Sequence, residues 1–516
     1  MRAQRPQQLY PLLFAVIPFV QVVASNPGQS RLTTLGKIVL LLWAGFGFVY
    51  LLVDRVQRRR KSARLTPLIV FVGVALFYLS PLAQRLIENF RGQPVSPLLP
   101  LSLGFVVATA CIAWLARRPT LHQHAERFLR IFGPLLLGIA VVRIGLNELR
   151  SYRTIATSKV ATELRVPIRI ARPDSPGRKP NIYLLVLDEY ANSAVLEGLF
   201  GTADHQFEDS LRSLGFTIPR LVRSNYTETT LSIPSLLNFA YLNDLAVEVG
   251  RRSNDRSLPN YLLENNRLVA FLKAQGYQFA FFPSQWWRAT DHNRHADWEF
   301  HVKSGLSARS AIASSELAKL LSRYTLLGIL GSLHPAYADY IDQTFEGLRV
   351  LQTGNKPTFV FAHLILPHAP YFFNARCEPQ LDPYLGTPDR RYMDQVRCTN
   401  AFILHLLDTL LRRPGPTPVV VLQGDHGTPM LGYNEAPSAT EITAAQARER
   451  LGAFGAYLLP DGGADSFKDT VTVVNVFRRV LHHYFGAEFG PEEDRVYVSQ
   501  DKAPFDLVEV DQSRLR

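Results

Sequence analysis

Ile182-Tyr-Leu-Leu-Val-Leu187 is an unbroken apolar run that ends abruptly in Asp188-Glu189. Six apolar residues with no polar alternation read as a strand covered on both faces, and two adjacent carboxylates at its end mark the rim of a sheet. Further β-rich runs follow at Tyr277–Pro283, Pro357–Leu366, Pro418–Leu422 and Ala453–Leu459, with amphipathic helical segments such as Tyr261–Gln275 and Tyr392–Leu411 between them. This alternation predicts an α/β domain, a mostly parallel sheet with helices on both faces, in which ligands bind at the carboxyl ends of the strands. No internal repeat or low-complexity tract interrupts it.

Upstream the texture is different. Residues 1–150 hold 18 Lys/Arg against 4 acids, whereas the remaining 366 hold 38 against 40, so the net charge of +12 sits wholly in the apolar N-terminal part. A basic nucleic-acid-binding domain would carry that charge on a soluble face, which disfavours a nucleic-acid partner. Five apolar stretches, Leu9–Ala24, Leu35–Val53, Pro67–Leu82, Pro97–Leu115 and Phe128–Leu146, each approach the ~20 residues a helix needs to cross a bilayer. Arg2 and Arg5 precede the first, six basic residues from Arg55 to Arg64 follow the second, and Arg117, Arg118 and Arg127 follow the fourth. Basic loops stay in the cytoplasm, which puts the N-terminus inside and everything after residue 150 outside. If the first stretch is instead a signal peptide, with Val23-Ala24-Ser25 as a poor cleavage site, the remaining four spans still end outside. The expected domains are a five-helix membrane domain over 1–150, a linker over 151–178 containing Pro167, Pro173, Pro176 and Gly177, and an exported α/β domain over 179–516. Cys377 and Cys398 fall on the exported side, where a disulfide persists, and neither has metal-binding spacing.

Two more strand ends deliver polar groups. Val419-Val-Val-Leu-Gln-Gly424 runs into Asp425-His426-Gly427, and Thr358-Phe-Val-Phe-Ala362 leads to His363 and then to Pro367-His368-Ala-Pro-Tyr371. Carboxylates and imidazoles converging on one rim suit a divalent cation such as Zn²⁺ or Mn²⁺. Hydroxyls crowd Ser224-Asn-Tyr-Thr227-Glu-Thr229-Thr230-Leu-Ser232-Ile-Pro-Ser235 at the start of a helix. Alone, such a cluster reads as helix capping. Beside a metal, it offers a nucleophile at a helix N-terminus, where free N–H groups bind a phosphoryl group.

The order Asp-Glu, Thr-x-x-Ser-x-Pro, Pro-His-x-Pro-Tyr and Asp-His-Gly resembles the alkaline phosphatase/sulfatase superfamily. Within it, the sequence is most similar to membrane-bound phosphoethanolamine and phosphoglycerol transferases, the group that includes lipoteichoic acid synthase. Those proteins also place five spans before an exported catalytic domain, so the resemblance covers essentially the whole chain. It implies an alkaline-phosphatase-like fold, Thr229 as nucleophile (with Thr227 and Thr230 as alternatives), Glu189, Thr229, Asp425 and His426 as ligands of one divalent ion, and His368 on the substrate side. The run Arg391–Asn400 is similar to a helix that the family sets beside the sheet.

Three departures bear on the chemistry. The Cys/Ser-x-Pro-x-Arg motif of sulfatases is absent, which disfavours sulfate-ester hydrolysis. Residues 428–460 contain no histidine, where the phosphoethanolamine transferases carry a second one. Asp188 stands before Glu189, either as a further ligand or as a structural acceptor. His363 reads as a group that positions the site, and Arg448 and Arg450 as a solvated helix end or a phosphate contact. Trp286 and Trp287 read as core or membrane-interface residues.

The expectation is a multi-pass protein of the bacterial cytoplasmic membrane whose outer domain transfers a phospho-alcohol headgroup from a membrane phospholipid to an envelope glycan or lipid acceptor. A membrane-attached phosphodiesterase or sulfatase-like hydrolase is the enzymatic alternative. A catalytically dead envelope sensor or assembly protein is the other.

Overall fold

A computed structural model of the chain describes residues 9–91, 95–96, 98–170, 179–201, 205–285, 288–302, 317, 320–321, 324–330, 334–380, 387–467, 469–490 and 492–515. Arg2, Arg5, Pro173, Pro176, Gly177, Trp286 and Trp287 lie outside these residues. The chain divides into two compact units, Met1–Arg150 with Ile312–Leu333, and Ser151–Ala311 with His334–Arg516.

In the first unit, all five apolar stretches fold as helices: α1 (Tyr10–Ser25), α2 (Leu32–Arg59), α3 (Thr66–Arg91), α4 (Leu98–Ala116) and α5 (Pro119–Thr157). Four of these regions, α2 to α5, are long and apolar enough to cross a membrane, whereas α1 has 16 residues. Val16, Phe19 and Val20 of α1 pack with Leu35, Ile38 and Leu42 of α2. Leu317 and Leu321 join the same cluster, so Ile312–Leu333 groups with the apolar helices despite lying within the 179–516 stretch.

The stretch 151–178 is not wholly a linker. Helix α5 continues to Thr157, and a short helix, Lys159–Glu163, follows. Ser158 caps that helix by accepting from the Ala161 N–H, Glu248 accepts from the Lys159 and Val160 N–H groups, and Val160 packs with Leu242 and Leu245.

The second unit is built on a six-stranded sheet in the order β4-β3-β5-β1-β6-β7. Its strands are β1 (Ile182–Leu187), β3 (Gln278–Phe282), β4 (Trp298–Glu299), β5 (Thr358–Leu364), β6 (Val419–Gly424) and β7 (Gly455–Leu458). All neighbours run parallel except β7, which is antiparallel to β6. A small parallel pair, β2 (Leu221–Arg223) with β8 (Thr470–Thr472), was not foreseen from the sequence.

Alternation along β1 divides the core. Tyr183, Leu185 and Leu187 pack in one cluster with Val396, Ile403 and Leu407 of the helix Pro388–Leu411 and with Ile341 and Phe345 of the helix His334–Val350. Ile182, Leu184 and Val186 pack in another with Ile233, Leu236 and Leu237 of the helix Thr229–Asn238 and with Val476, Phe477 and Val480 of the helix Val473–Phe485. Both faces are therefore covered, which is why the strand needs no polar residue.

One expected element is broken. Tyr261–Gln275 forms two helices, Ser257–Glu264 and Arg267–Ala274, divided at Asn265-Asn266. Asn266 has an extended backbone and its side chain accepts from the Val269 N–H at 2.8 Å, so it starts a second helix instead of continuing the first.

Cys377 and Cys398 form a disulfide with Cα atoms 5.3 Å apart, fastening the segment after Pro367–Tyr371 to the helix Pro388–Leu411. Replacing Cys398 by Ser is expected to cost about 3 kcal/mol of stability through lost loop closure over the 21-residue separation. The thermal midpoint of the full chain in detergent reads this directly; an unchanged midpoint would contradict a bridge in the folded protein.

Candidate active site and metal centre

The three central strands end level with one another. Leu187 of β1 pairs with Gly424 of β6 on one side and with Leu364 of β5 on the other, while Val186 pairs with His363. Asp188 and Asp425 are therefore the next residues out from adjacent strands. On β5, His363 has the parity of Phe359 and Phe361; on β6, Asp425 continues the parity of Val419 and Val421. Those residues belong to the cluster that contains the helix Thr229–Asn238, and Asp188 continues the parity of Ile182, Leu184 and Val186 in the same cluster. The period of two thus directs Asp188, His363 and Asp425 toward the face where that helix begins. One donor atom from each of the three lies within 4.8 Å of the others, and all three residues are buried.

Asp425 is pinned through one oxygen. Its Oδ1 accepts from the backbone N–H of His426 at 2.9 Å and of Glu189 at 3.1 Å, while Oδ2 is buried without a hydrogen-bond partner among the described residues. His426 Nδ1 lies 3.1 Å from the Gly427 carbonyl, to which it donates, leaving Nε2 as the acceptor. Nε2 lies 3.0 Å from Thr229 Oγ1, 3.3 Å from Asp425 Oδ2 and 4.0 Å from Asp188 Oδ1. Burial and the Arg450 guanidinium hold the His426 pKa well below its usual range, so the ring stays neutral. Burial and neighbouring Asp188 push the Asp425 carboxyl well up. Burial alone would raise Asp188 too, but His368, His363 and His426 beside it hold it below the ordinary range.

These donors fit a divalent cation. Bonds of about 2.0 Å in a tetrahedral site separate ligand atoms by roughly 3.3 Å, close to the 3.0 and 3.3 Å separations of Thr229 Oγ1 and Asp425 Oδ2 from His426 Nε2, with Asp188 Oδ1 farther out at 4.0 Å. Two carboxylates, a neutral imidazole and a hydroxyl supply the expected hard and borderline donors. His363 Nε2 lies 3.4 Å from Asp188 Oδ2, and its Nδ1 lies 2.9 Å from Thr290 Oγ1, so the ring orients Asp188 from the side away from His426.

Glu189 takes a different course from Asp188. Its backbone is left-handed, with φ of +64°, and the two adjacent carboxylates diverge. Glu189 Oε1 accepts from Arg450 Nη1 at 2.6 Å, and Oε2 lies 4.0 Å from His368 Nε2. Glu189, expected among the metal ligands, is here paired with a buried arginine, and His368 stands beside it. Tyr392 and Gln395 hold these loops from the helix Pro388–Leu411. Tyr392 donates to the Glu189 carbonyl, and Gln395 Nε2 donates to the carbonyls of Pro367 and His368.

Thr229 is the first residue of its helix and 9% exposed. Thr227 is committed elsewhere: its Oγ1 accepts from Tyr433 Oη at 2.8 Å and from the Ser499 N–H at 3.1 Å. Ser232, in the second turn, donates to the Asp425 carbonyl at 2.6 Å. Gly427 is sterically required, because a Cβ there would lie 2.1 Å from the Glu449 carbonyl oxygen.

A sulfatase family model matches residues 180–457, which is more than half of the chain. The chain belongs to the sulfatase family. The matched region begins just before β1 and ends within β7, so it contains every strand end described above. No curated protein matches this sulfatase-family chain. Among solved structures it is similar to the zinc complex of the C-terminal periplasmic domain of EptC from Escherichia coli, at 12% identity over 66% of this chain and 96% of that one, with a TM-score of 0.43. It is also similar to the integral membrane lipooligosaccharide phosphoethanolamine transferase A from Neisseria meningitidis, at 13% identity over 93% of this chain and 94% of that one, with a TM-score of 0.40. A third similar structure is an alkaline phosphatase superfamily protein from Vibrio parahaemolyticus, at 13% identity over 69% and 82%, with a TM-score of 0.40.

The sequence leaves Arg450 open between a solvated helix end and a phosphate contact, and it gives no signal for Glu228. Arg450 is 5% exposed and is not a solvated helix end. Glu228, the residue before Thr229, is buried and capless, and its Oε1 has no hydrogen-bond partner among the described residues. Burial, partly offset by Arg450, pushes its carboxyl up to about 8. The folded state then keeps a proton that the unfolded state releases, so stability falls as pH rises from about 4.5 to about 8. In chelator-treated protein, Glu228→Gln is expected to match wild type near pH 4.5 and to exceed it at pH 8 by on the order of 1–3 kcal/mol. Parallel pH profiles of the two thermal midpoints would contradict the assignment.

Proposed function

We propose that this chain is a metal-dependent transferase that moves a phospho-alcohol headgroup, of the phosphoethanolamine or phosphoglycerol type, from a membrane phospholipid to an envelope glycan or lipid acceptor through a covalent Thr229 intermediate. The observation that carries this reading is the 3.0 Å approach of Thr229 Oγ1 to His426 Nε2, beside the buried Asp188 and Asp425. In this reading Asp188, Asp425 and His426 are the residues that hold the ion, Thr229 faces it, and Glu189 stands behind with Arg450. A divalent cation such as Zn²⁺ or Mn²⁺ would supply positive charge for the phosphoryl oxygens and lower the pKa of the threonine hydroxyl.

Deprotonated Thr229 attacks phosphorus, the Oγ1–P bond forms, and the P–O bond to diacylglycerol breaks. His368 Nε2 gives its proton to the departing oxygen, with Glu189 beside it to stabilise the imidazolium beforehand. The acceptor hydroxyl then returns a proton to His368 as its oxygen attacks phosphorus and the Oγ1–P bond breaks. Thr229 and His368 finish as they began. The N-terminal end of the helix Thr229–Asn238 favours the anionic group throughout.

The same reading makes residues 1–150 a membrane domain with a cytoplasmic N-terminus and places 179–516, joined through 151–178, at the outer face of a bacterial inner membrane. Confinement to the bilayer then raises the effective concentration of the donor lipid at the site.

Incubating the full chain with total membrane lipids is expected to leave a phospho-alcohol adduct on Thr229, identified by peptide mass spectrometry. Thr229→Ala should carry no adduct and lose at least about a thousandfold in turnover at an unchanged thermal midpoint. An adduct on another residue, or an active variant, contradicts the reading; free headgroup without a modified acceptor would instead mark a hydrolase. Stripping divalent ions with a chelator should stop adduct formation, and adding back Zn²⁺ or Mn²⁺ should restore it.

A further inference from the structure

Arg450 lies at the end of the helix Ala444–Leu451, where an arginine would ordinarily face water, yet its side chain is 7% exposed. Its five N–H groups are unevenly used. Nε donates to the Thr227 carbonyl at 2.9 Å, and Nη1 donates to Glu189 Oε1 at 2.6 Å and to the Gly427 carbonyl at 2.9 Å. The guanidinium also lies over the Tyr433 ring, 5.7 Å from its centroid. Three acceptors and an aromatic face thus fix the plane of the group.

Nη2 is the exception. Its one contact among the described residues is a long 3.4 Å approach to His426 Nε2, a nitrogen already turned toward Thr229 Oγ1 at 3.0 Å. A buried guanidinium nitrogen without a good acceptor is costly to maintain. Here it approaches the same His426 nitrogen that stands 3.0 Å from Thr229 Oγ1. Structural duties account for Nε and Nη1; they leave Nη2 unexplained.

We propose that Arg450 Nη2 is the donor for a non-bridging oxygen of the phosphoryl group on Thr229. This deepens the function proposed above and rests on it. The guanidinium is already oriented before substrate arrives, so its charge meets the phosphoryl oxygen without reorganisation. Arginine suits the position because one fork serves two ends: Nη1 neutralises Glu189, and Nη2 remains for the substrate. Lysine can neutralise Glu189 but cannot present a second fixed nitrogen.

The test is calorimetric titration of inorganic phosphate into the full chain in detergent, loaded with Zn²⁺, for wild type and Arg450→Lys. The metal content and thermal midpoint of each are measured alongside. Arg450→Lys is expected to fold and keep its metal, at a lowered midpoint because the Thr227 and Gly427 carbonyls lose their donor, while binding phosphate about tenfold to a hundredfold more weakly. If that variant does not fold, Arg450→Gln with Glu189→Gln removes both charges together and is expected to show the same loss. Phosphate affinity within twofold of wild type overturns the proposal. Metal loss accompanying the weaker binding also overturns it, because Arg450 would then act only by arranging the donors. If wild type neither binds phosphate nor acquires an adduct on Thr229, the proposed function itself falls.

Discussion

Asp188 and Asp425 emerge from adjacent parallel strands into a rim that excludes water, and two carboxylates so close in such a place must be compensated. With donor atoms within 4.8 Å of each other and an effective dielectric of 20, full charges would repel by roughly 3 kcal/mol or more, before any cost of desolvation. Two backbone N–H groups on Asp425 Oδ1 and the His363 ring beside Asp188 answer part of this demand. Asp425 Oδ2 and Asp188 Oδ1 lie 3.3 and 4.0 Å from His426 Nε2, which is itself 3.0 Å from Thr229 Oγ1, a donor set that fits a divalent cation. The order of β5, β1 and β6 makes this geometry possible, because neighbouring parallel strands in register bring residues 188 and 425 out level with each other and put 363, level with 186, on the same face.

Around that centre the fold assigns separate duties to groups that look alike in the sequence. Asp188 and Glu189 are consecutive carboxylates, but the left-handed backbone at Glu189 sends one toward His363 and His426 and the other toward Arg450 and His368. Thr227 and Thr229 are two residues apart, yet the first is held by Tyr433 and Ser499 while the second faces His426. The helix Pro388–Leu411 fixes the loops of Glu189 and His368 through Tyr392 and Gln395, and the disulfide at Cys398 anchors the segment that follows.

Much of this was legible in the chain itself. The run Ile182–Leu187 reads as a doubly covered strand because six apolar residues admit no solvent face, and the ends of β1, β5 and β6 announced themselves by abrupt changes to Asp, Glu and His. The five apolar stretches are helices for the same compositional reason. What was not legible depends on distant partners or on a single torsion. Arg450 looks like any helix-terminal arginine until Glu189, 261 residues away, draws it inward. The divergence of Glu189 turns on its φ, which no composition reveals. The pairing of His363 with Asp188 follows from strand register, which the sequence does not state. The break at Asn265-Asn266, in contrast, had a signal: an asparagine accepting from the third residue onward starts helices, and here it starts one.

The most direct test of the metal centre is an anomalous-scattering map from crystals of the full chain grown with Zn²⁺ or Mn²⁺. The account predicts one strong peak bounded by Asp188, Asp425 and His426 and within bonding distance of Thr229 Oγ1. An empty position there, or a peak held by other side chains with Thr229 turned away, would contradict it.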